Sequence, residues 1–222
     1  MGRAMGEGEF SVLRRRMIEE QLIQRGIRDQ RVLEALLKVP RHMFLPPDRR
    51  AYAYVDGAVP IGHGATISQP YVVAVMTEAL APQPGDRVLE VGTGSGYQTA
   101  VLAELAREVY TIERKPELAE EARLLLEELG YGNIRFRVGD GTLGWPEAAP
   151  FNGILVTAGA PAVPEELKAQ LDPRGGRLVI PIGSRREQEL YRYTLRDGEL
   201  VREWLMSCRF VPLVGEAGWE NF

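Results

Sequence analysis

The segment Val88-Leu-Glu-Val-Gly-Thr-Gly-Ser-Gly-Tyr-Gln-Thr-Ala100 reads as a buried strand ending at Gly92, a glycine-rich turn, and the first turns of a helix. Glycines at 92, 94 and 96 remove side chains where the backbone must reverse sharply and where a ligand can lie against it. The same alternation continues outward from this unit. Short apolar runs at 109–112, 134–138, 154–156 and 178–182 are separated by helical patterns at 98–106, 117–129 and 164–170, and an apolar helix over 71–80 precedes the first strand. Such alternation predicts an α/β fold, a doubly wound and mostly parallel sheet whose ligands sit beyond the carboxyl ends of the strands. The last two runs, 190–195 and 200–210, flank Asp197-Gly198 and predict an antiparallel hairpin that closes one edge.

Upstream the pattern changes. From 10 to 38 apolar residues recur at helical spacing, Gly26 breaks the run, and Asp29 stands where an N-cap belongs, which predicts two helices packed on the larger body. From 40 to 69 the chain turns to Pro, Gly, Asp and Tyr, and a loop of that length within a compact domain is uncommon unless it is functional. The expected organisation is therefore residues 1–69 as N-terminal helices and a covering loop, part of the same globular unit, and residues 70–222 as the cofactor-binding domain.

Composition narrows the chemistry. With 27 Lys and Arg against 31 Asp and Glu the net charge is −4, which gives no general attraction to nucleic acid or to an anionic membrane. Cys208 is the single cysteine, and only His42 and His63 accompany it, so neither an intramolecular disulfide nor a Cys/His zinc site can be built. The first 16 residues hold no apolar signal region, and no run approaches the roughly 18 apolar residues of a membrane span. The expectation is a cytoplasmic protein without nucleic-acid, membrane or metal partners.

The glycine spacing is G-x-G-x-G. A dinucleotide fingerprint would place its third glycine or alanine at position 97, where this chain has Tyr97. A diphosphate wants free N–H groups at a helix start, whereas the zwitterionic methionine part of S-adenosylmethionine needs close backbone approach without a phosphate cradle. Glu113, at the end of the second strand, suits the two ribose hydroxyls of an adenosine group, a device that nicotinamide enzymes share. Asp140, between Gly139 and Gly141 at the end of the third, places a carboxylate near the adenine amino group. Ser68 precedes Gln69-Pro70 at the start of the 71–80 helix, where it is expected as an N-cap beside free N–H groups that attract an anion.

Beyond these residues, the stretches Ala65-Thr-Ile-Ser-Gln-Pro-Tyr71, Val138-Gly-Asp-Gly141, Ala149-Pro-Phe151 and Arg174-Gly-Gly-Arg-Leu-Val-Ile-Pro-Ile-Gly183 carry a resemblance to the protein-L-isoaspartate O-methyltransferase family, extending over residues 17–213. The resemblance implies a class I methyltransferase, Rossmann-like fold and transfer of methyl from S-adenosyl-L-methionine, leaving S-adenosyl-L-homocysteine. The acceptor it implies is the free α-carboxylate of L-isoaspartyl residues in damaged proteins and peptides. The resulting ester closes to a succinimide that hydrolyses partly to normal aspartate. Residue by residue, the family's active-site serine matches Ser68, and its cofactor contacts match Gly92, Gly94, Glu113, Asp140 and Gly141, with Gly96 completing the turn. Residues 61–64, with His63 and Gly64, match a loop that in the family folds over the cofactor, whereas the sequence alone favours a solvent-facing His63. The run 210–213 either lines the peptide groove or ends the last strand.

No Ser/His/Asp or Cys/His arrangement is expected, since a carboxylate with a pKa of roughly 4 is already ionised and needs no general base. One departure from the family pattern is Asn152-Gly153, where relatives carry an acidic residue after the aromatic one. Asn followed by Gly forms succinimides most readily, so this pair is a potential damage site that a strand beginning at Gly153 would protect.

Overall fold

The computed structural model describes residues 5–220, so residues 1–4 and 221–222 of the two expected regions lie outside it. Seven strands form one sheet in the order β5-β4-β3-β6-β7-β8-β9. The parallel strands are β3 (Arg87–Val91), β4 (Glu108–Glu113), β5 (Ile134–Val138), β6 (Gly153–Val156) and β7 (Arg177–Gly183). The antiparallel pair β8 (Gln188–Arg196) and β9 (Glu199–Cys208) completes the edge. Central strands buried on both faces read as unbroken apolar runs. Accordingly Val88, Leu89 and Val91 of β3 and Ile154 to Val156 of β6 are all buried.

Strand order reverses between β3 and β6. The chain runs outward from β3 to β4 and β5 on one side, then returns to β6 and β7 on the other, which opens a crevice beyond their carboxyl ends. Val91 and Val156 are register partners, so the glycine turn after β3 and Thr157 after β6 emerge side by side at that point.

Helices α3 (Pro70–Leu80), α4 (Tyr97–Ala103), α5 (Pro116–Glu128) and α6 (Glu165–Ala169) cover the sheet. One face packs Met76, Val101 and Leu102 together with Phe10, Met17 and Leu36, so the N-terminal elements share a continuous core with the sheet domain. The other face gathers Leu89, Ile154 and Leu178 against Phe151 and Leu167.

The N-terminal helices differ in length from the expectation. The first runs as α1 (Glu7–Arg16), a wider π turn over Met17–Leu22 and a 3-10 turn ending at Gly26. The widening keeps Met17, Ile18 and Leu22 together in the core. Asp29 caps α2 (Gln30–Lys38) by accepting the Arg31 N–H at 2.9 Å. The 40–69 stretch is not structureless either. It holds 3-10 turns at Arg41–Phe44 and Pro47–Tyr52, then a hairpin of β1 (Val59–Gly62) and β2 (Ala65–Ile67). Strands of 4 and 3 residues are too short to reveal themselves by periodicity. None of the described helices is long and apolar enough to cross a membrane.

Candidate active site

A cavity of about 280 Å³ occupies the crevice at the strand ends. Its walls are the glycine turn from Gly92 to Ser95, the end of β4 from Ile112 to Lys115, the β2–α3 corner from Thr66 to Ser68, Gly141, Thr157, and the segment Val211 to Val214. The glycine turn serves two purposes. At Gly94 an added Cβ would meet nothing within 4 Å, so this backbone faces the open cavity. At Gly92 it would lie 2.3 Å from Thr157 Oγ1, because the Thr157 hydroxyl donates to the Gly92 carbonyl at 2.7 Å and ties β6 to the turn.

Glu113, 7% exposed, braces the turn from the β4 side. Its Oε2 accepts the Gly94 N–H at 3.0 Å and its Oε1 accepts the Lys115 N–H at 3.1 Å. A carboxylate has about four lone-pair sites, so two remain for a ligand. Lys115 in turn donates through Nζ to the carbonyl of His63 at the tip of the β1–β2 hairpin, fastening the hairpin to the end of β4.

Below the turn lies a polar network that sequence reading missed. Glu90 is fully buried, and its Oε2 accepts the hydroxyls of Thr99 at 2.5 Å and Thr111 at 2.6 Å, while Oε1 has no partner. Burial pushes its carboxyl up to about 8 against the opposing pull of the two hydroxyls. Thr111 Oγ1 also lies 2.6 Å from the Thr93 hydroxyl, on the cavity wall. An acidic residue in an otherwise apolar strand was the available signal.

A second cavity, of about 270 Å³, opens on the far side of the β2–α3 corner and is lined by Val72, Gln69 and the 206–211 segment. Thr66, Ser68, Thr157 and Val211 belong to both cavities. Ser68 is half-buried between the two, and its hydroxyl makes no hydrogen bond among the described residues. Its predicted capping role is corrected: Gln69 is the N-cap of α3, without a side-chain cap bond, and Pro70 occupies the first helical position. Proline's fixed φ and missing N–H start the helix one residue later than a capping serine would need.

Of the predicted cofactor residues, Gly64, Gly92, Gly94, Glu113 and Gly141 line the first cavity. His63, Gly96 and Asp140 stand beside it. His63 adopts φ 52 at the hairpin tip with its ring 3.7 Å from Glu121 Oε1 on α5. A Cβ at Gly96 would lie 3.0 Å from Leu126 Cδ1 and 3.3 Å from Ala122 Cβ, so this glycine lets α4 pack on α5. Asp140 Oδ1 accepts the N–H and hydroxyl of Thr142, and Oδ2 accepts the Glu216 N–H at 2.7 Å. Although burial raises its carboxyl, these hydrogen bonds outweigh it and hold the group below its ordinary value. Val211 and Leu213 are cavity walls, which places most of the 210–213 run at the site, with Phe210 in the second cavity. Among the described residues, no group of three or more His, Cys, Asp or Glu side chains could hold a metal ion.

Residues 13–218 match the family described as Protein-L-isoaspartate(D-aspartate) O-methyltransferase. The protein-L-isoaspartate O-methyltransferase of Trichlorobacter lovleyi is 56% identical over 212 residues, covering 95% of this chain and 97% of that one. That of Pelotomaculum thermopropionicum is 59% identical over 210 residues, covering 94% and 91%. A solved protein-L-isoaspartate O-methyltransferase superposes with a TM-score of 0.82 at 33% identity, over 92% of this chain and 67% of that chain. A Plasmodium falciparum structure assigned to the same activity, in complex with S-adenosyl-L-homocysteine, gives a TM-score of 0.78 at 28% identity, over 90% and 98%.

Proposed function

The chain belongs to the protein-L-isoaspartate(D-aspartate) O-methyltransferase family, and from that premise we propose how its two cavities divide the reaction. The protein is a class I, S-adenosylmethionine-dependent carboxyl methyltransferase that repairs proteins by methylating the free α-carboxylate of L-isoaspartyl residues. The observation that carries the division of labour is the meeting of the cavities at Ser68.

The first cavity fits S-adenosylmethionine. Gly94 leaves its backbone bare to the ligand, Glu113 keeps two lone-pair sites for the ribose hydroxyls, and Asp140 keeps a lone pair on Oδ2 for the adenine amino group. Gly64 and the hairpin tip at His63, held by Lys115, cover it. When bound, S-adenosylmethionine supplies an electrophilic methyl group on a sulfonium centre. The second cavity takes the isoaspartyl peptide. Its carboxylate is ionised at neutral pH, so what the protein adds is placement, with Ser68 donating its free hydroxyl to one carboxylate oxygen and the unpaired N–H groups of the first turn of α3 favouring the anion. Residues 1–69 act as part of the same unit, a reading supported by the core shared between Phe10, Leu36 and Met76.

The test is transfer of labelled methyl to two peptides that differ only in carrying L-isoaspartate or normal aspartate, with wild type and Ser68→Ala. A base-labile label on the isoaspartyl peptide alone, reduced at least about tenfold in the variant with S-adenosyl-L-homocysteine affinity retained, is expected. Equal rates for wild type and Ser68→Ala would remove Ser68 from the reaction.

A further inference from the structure

Arg41 is 0% exposed, yet no carboxylate pairs with it among the described residues. Its Nε donates to the Ala53 carbonyl at 2.6 Å and its Nη2 to the Ser68 carbonyl at 2.7 Å. The guanidinium lies 4.8 Å from the centre of the Tyr97 ring. Its Nη1 and the Tyr97 hydroxyl are both buried without a hydrogen bond of normal geometry. Arg14 provides the contrast within the same chain. It is also buried and also donates to backbone carbonyls, those of Leu37 and Lys38, but Glu7 neutralises it at 2.9 Å.

A guanidinium stays protonated in proteins, and burying a charge without a counter-ion is costly. As a pure fastener between loops this position would be better filled by a neutral donor or by an arginine with an acid beside it. Two of the three groups that Arg41 touches stand at the site. Ala53 closes the 3-10 turn Pro47–Tyr52, Ser68 stands where the two cavities meet, and Tyr97 opens α4 and lines the first cavity. A carboxylate brought to Ser68 would arrive within the field of a cation held in a medium of low polarisability, where Coulomb attraction is stronger than in water.

We propose that Arg41 is a positioning residue for methyl transfer, pinning the Ser68 corner through its carbonyl and setting a buried positive charge behind the place where the acceptor carboxylate binds. The proposal rests on the reading that Ser68 orients that carboxylate. Fixing the Ser68 carbonyl fixes the direction of its side chain, and in-line transfer is sensitive to small misplacements of the attacking oxygen. The charge is met in the ternary complex by the substrate anion, so the desolvation cost carried by the free protein is partly recovered on binding.

The experiment measures kcat and KM for an isoaspartyl peptide, the Kd of S-adenosyl-L-homocysteine and thermal stability for Arg41→Met, Arg41→Lys, Ser68→Ala and the two double variants. For Arg41→Met, assayed well below its unfolding temperature, kcat/KM is expected to fall about 100-fold while the Kd changes less than about threefold. Arg41→Lys retains the charge but cannot hold both carbonyls, and should recover about tenfold of that loss. In the Ser68→Ala background the Met substitution should cost less than about threefold further, because both act on one step. A Kd that rises by as large a factor as kcat/KM falls would reduce Arg41 to support of the Tyr97 turn, and losses that multiply with Ser68→Ala would separate it from Ser68. Either result overturns the proposal. If Arg41→Met does not fold, the Lys variant decides alone, since an unchanged rate there refutes the pinning of Ser68. Full activity in Ser68→Ala is the distinct result that overturns the reading beneath.

Discussion

Asn152 donates through Nδ2 to Asp172 Oδ2 at 3.0 Å, which holds the side chain of the chain's Asn-Gly pair away from succinimide geometry. Its Oδ1 accepts the Arg87 N–H, its own N–H donates to the Arg87 carbonyl, and its carbonyl accepts the Arg177 N–H. Succinimide formation needs the Gly153 nitrogen to reach the Asn152 side-chain carbon, and Gly153 already begins β6. All of these bonds would have to open first. Long incubation followed by peptide mapping should therefore find little deamidation at Asn152 in folded protein and much in unfolded protein. Asp172→Ala should raise the folded rate; equal folded and unfolded rates would contradict this account.

Gly94 and Gly96 should respond differently to the same substitution. Both have positive φ, 54 and 84, so alanine carries a backbone penalty of roughly 1–2 kcal/mol at each. Gly96→Ala adds overpacking against Leu126 and Ala122, about 1–3 kcal/mol more, and should lower Tm distinctly further. Gly94→Ala points into the open cavity and should lose most of the stabilisation that S-adenosyl-L-homocysteine confers. Thermal unfolding of both variants with and without ligand checks the pair, and matched ligand responses would refute the distinction.

Glu90 should give the protein a pH-dependent weakness. Its carboxyl sits at about 8 in the folded protein against an ordinary 4.5. Between those values the folded state keeps a proton that the unfolded state has released, so stability falls as pH rises from about 4.5 to 8 and levels off above. The full effect is of the order of a few kcal/mol. Denaturant unfolding of Glu90→Gln and wild type across this range should show the variant gaining on wild type with rising pH. Parallel curves would show that Glu90 ionises normally.

Asp140 ties the 141–143 turn, beside the first cavity, to the C-terminal segment. Asp140→Ala removes the acceptor for the Glu216 N–H and the cap of the 141–143 turn, at a cost of about 0.5–2 kcal/mol. Amide exchange at Glu216 should quicken, and because Leu213 and Val214 line the cavity, affinity for S-adenosyl-L-homocysteine should fall with it. Unaltered exchange at Glu216 would show that the segment is held elsewhere.

The sequence by itself determined the sheet and the cofactor end of the site. Apolar strands, their alternation with helices, and the glycine turn are local patterns set by burial and backbone sterics, so β5 fell at its predicted 134–138 and Glu113 and Gly94 at the cavity wall. What depended on distant residues was decided only by the tertiary structure. Gly92, Gly94 and Gly96 look alike along the chain, yet Thr157, open space and Leu126 give them different tasks. Pro70 moved the cap from Ser68 to Gln69, and the place of Ser68 at the junction of two cavities depends on walls from β2, the residue after β6 and the chain beyond β9. Glu90 and Arg41 are ordinary charges in the sequence. Their state depends on the water and partners that folding removes or supplies, and those are properties of three-dimensional packing.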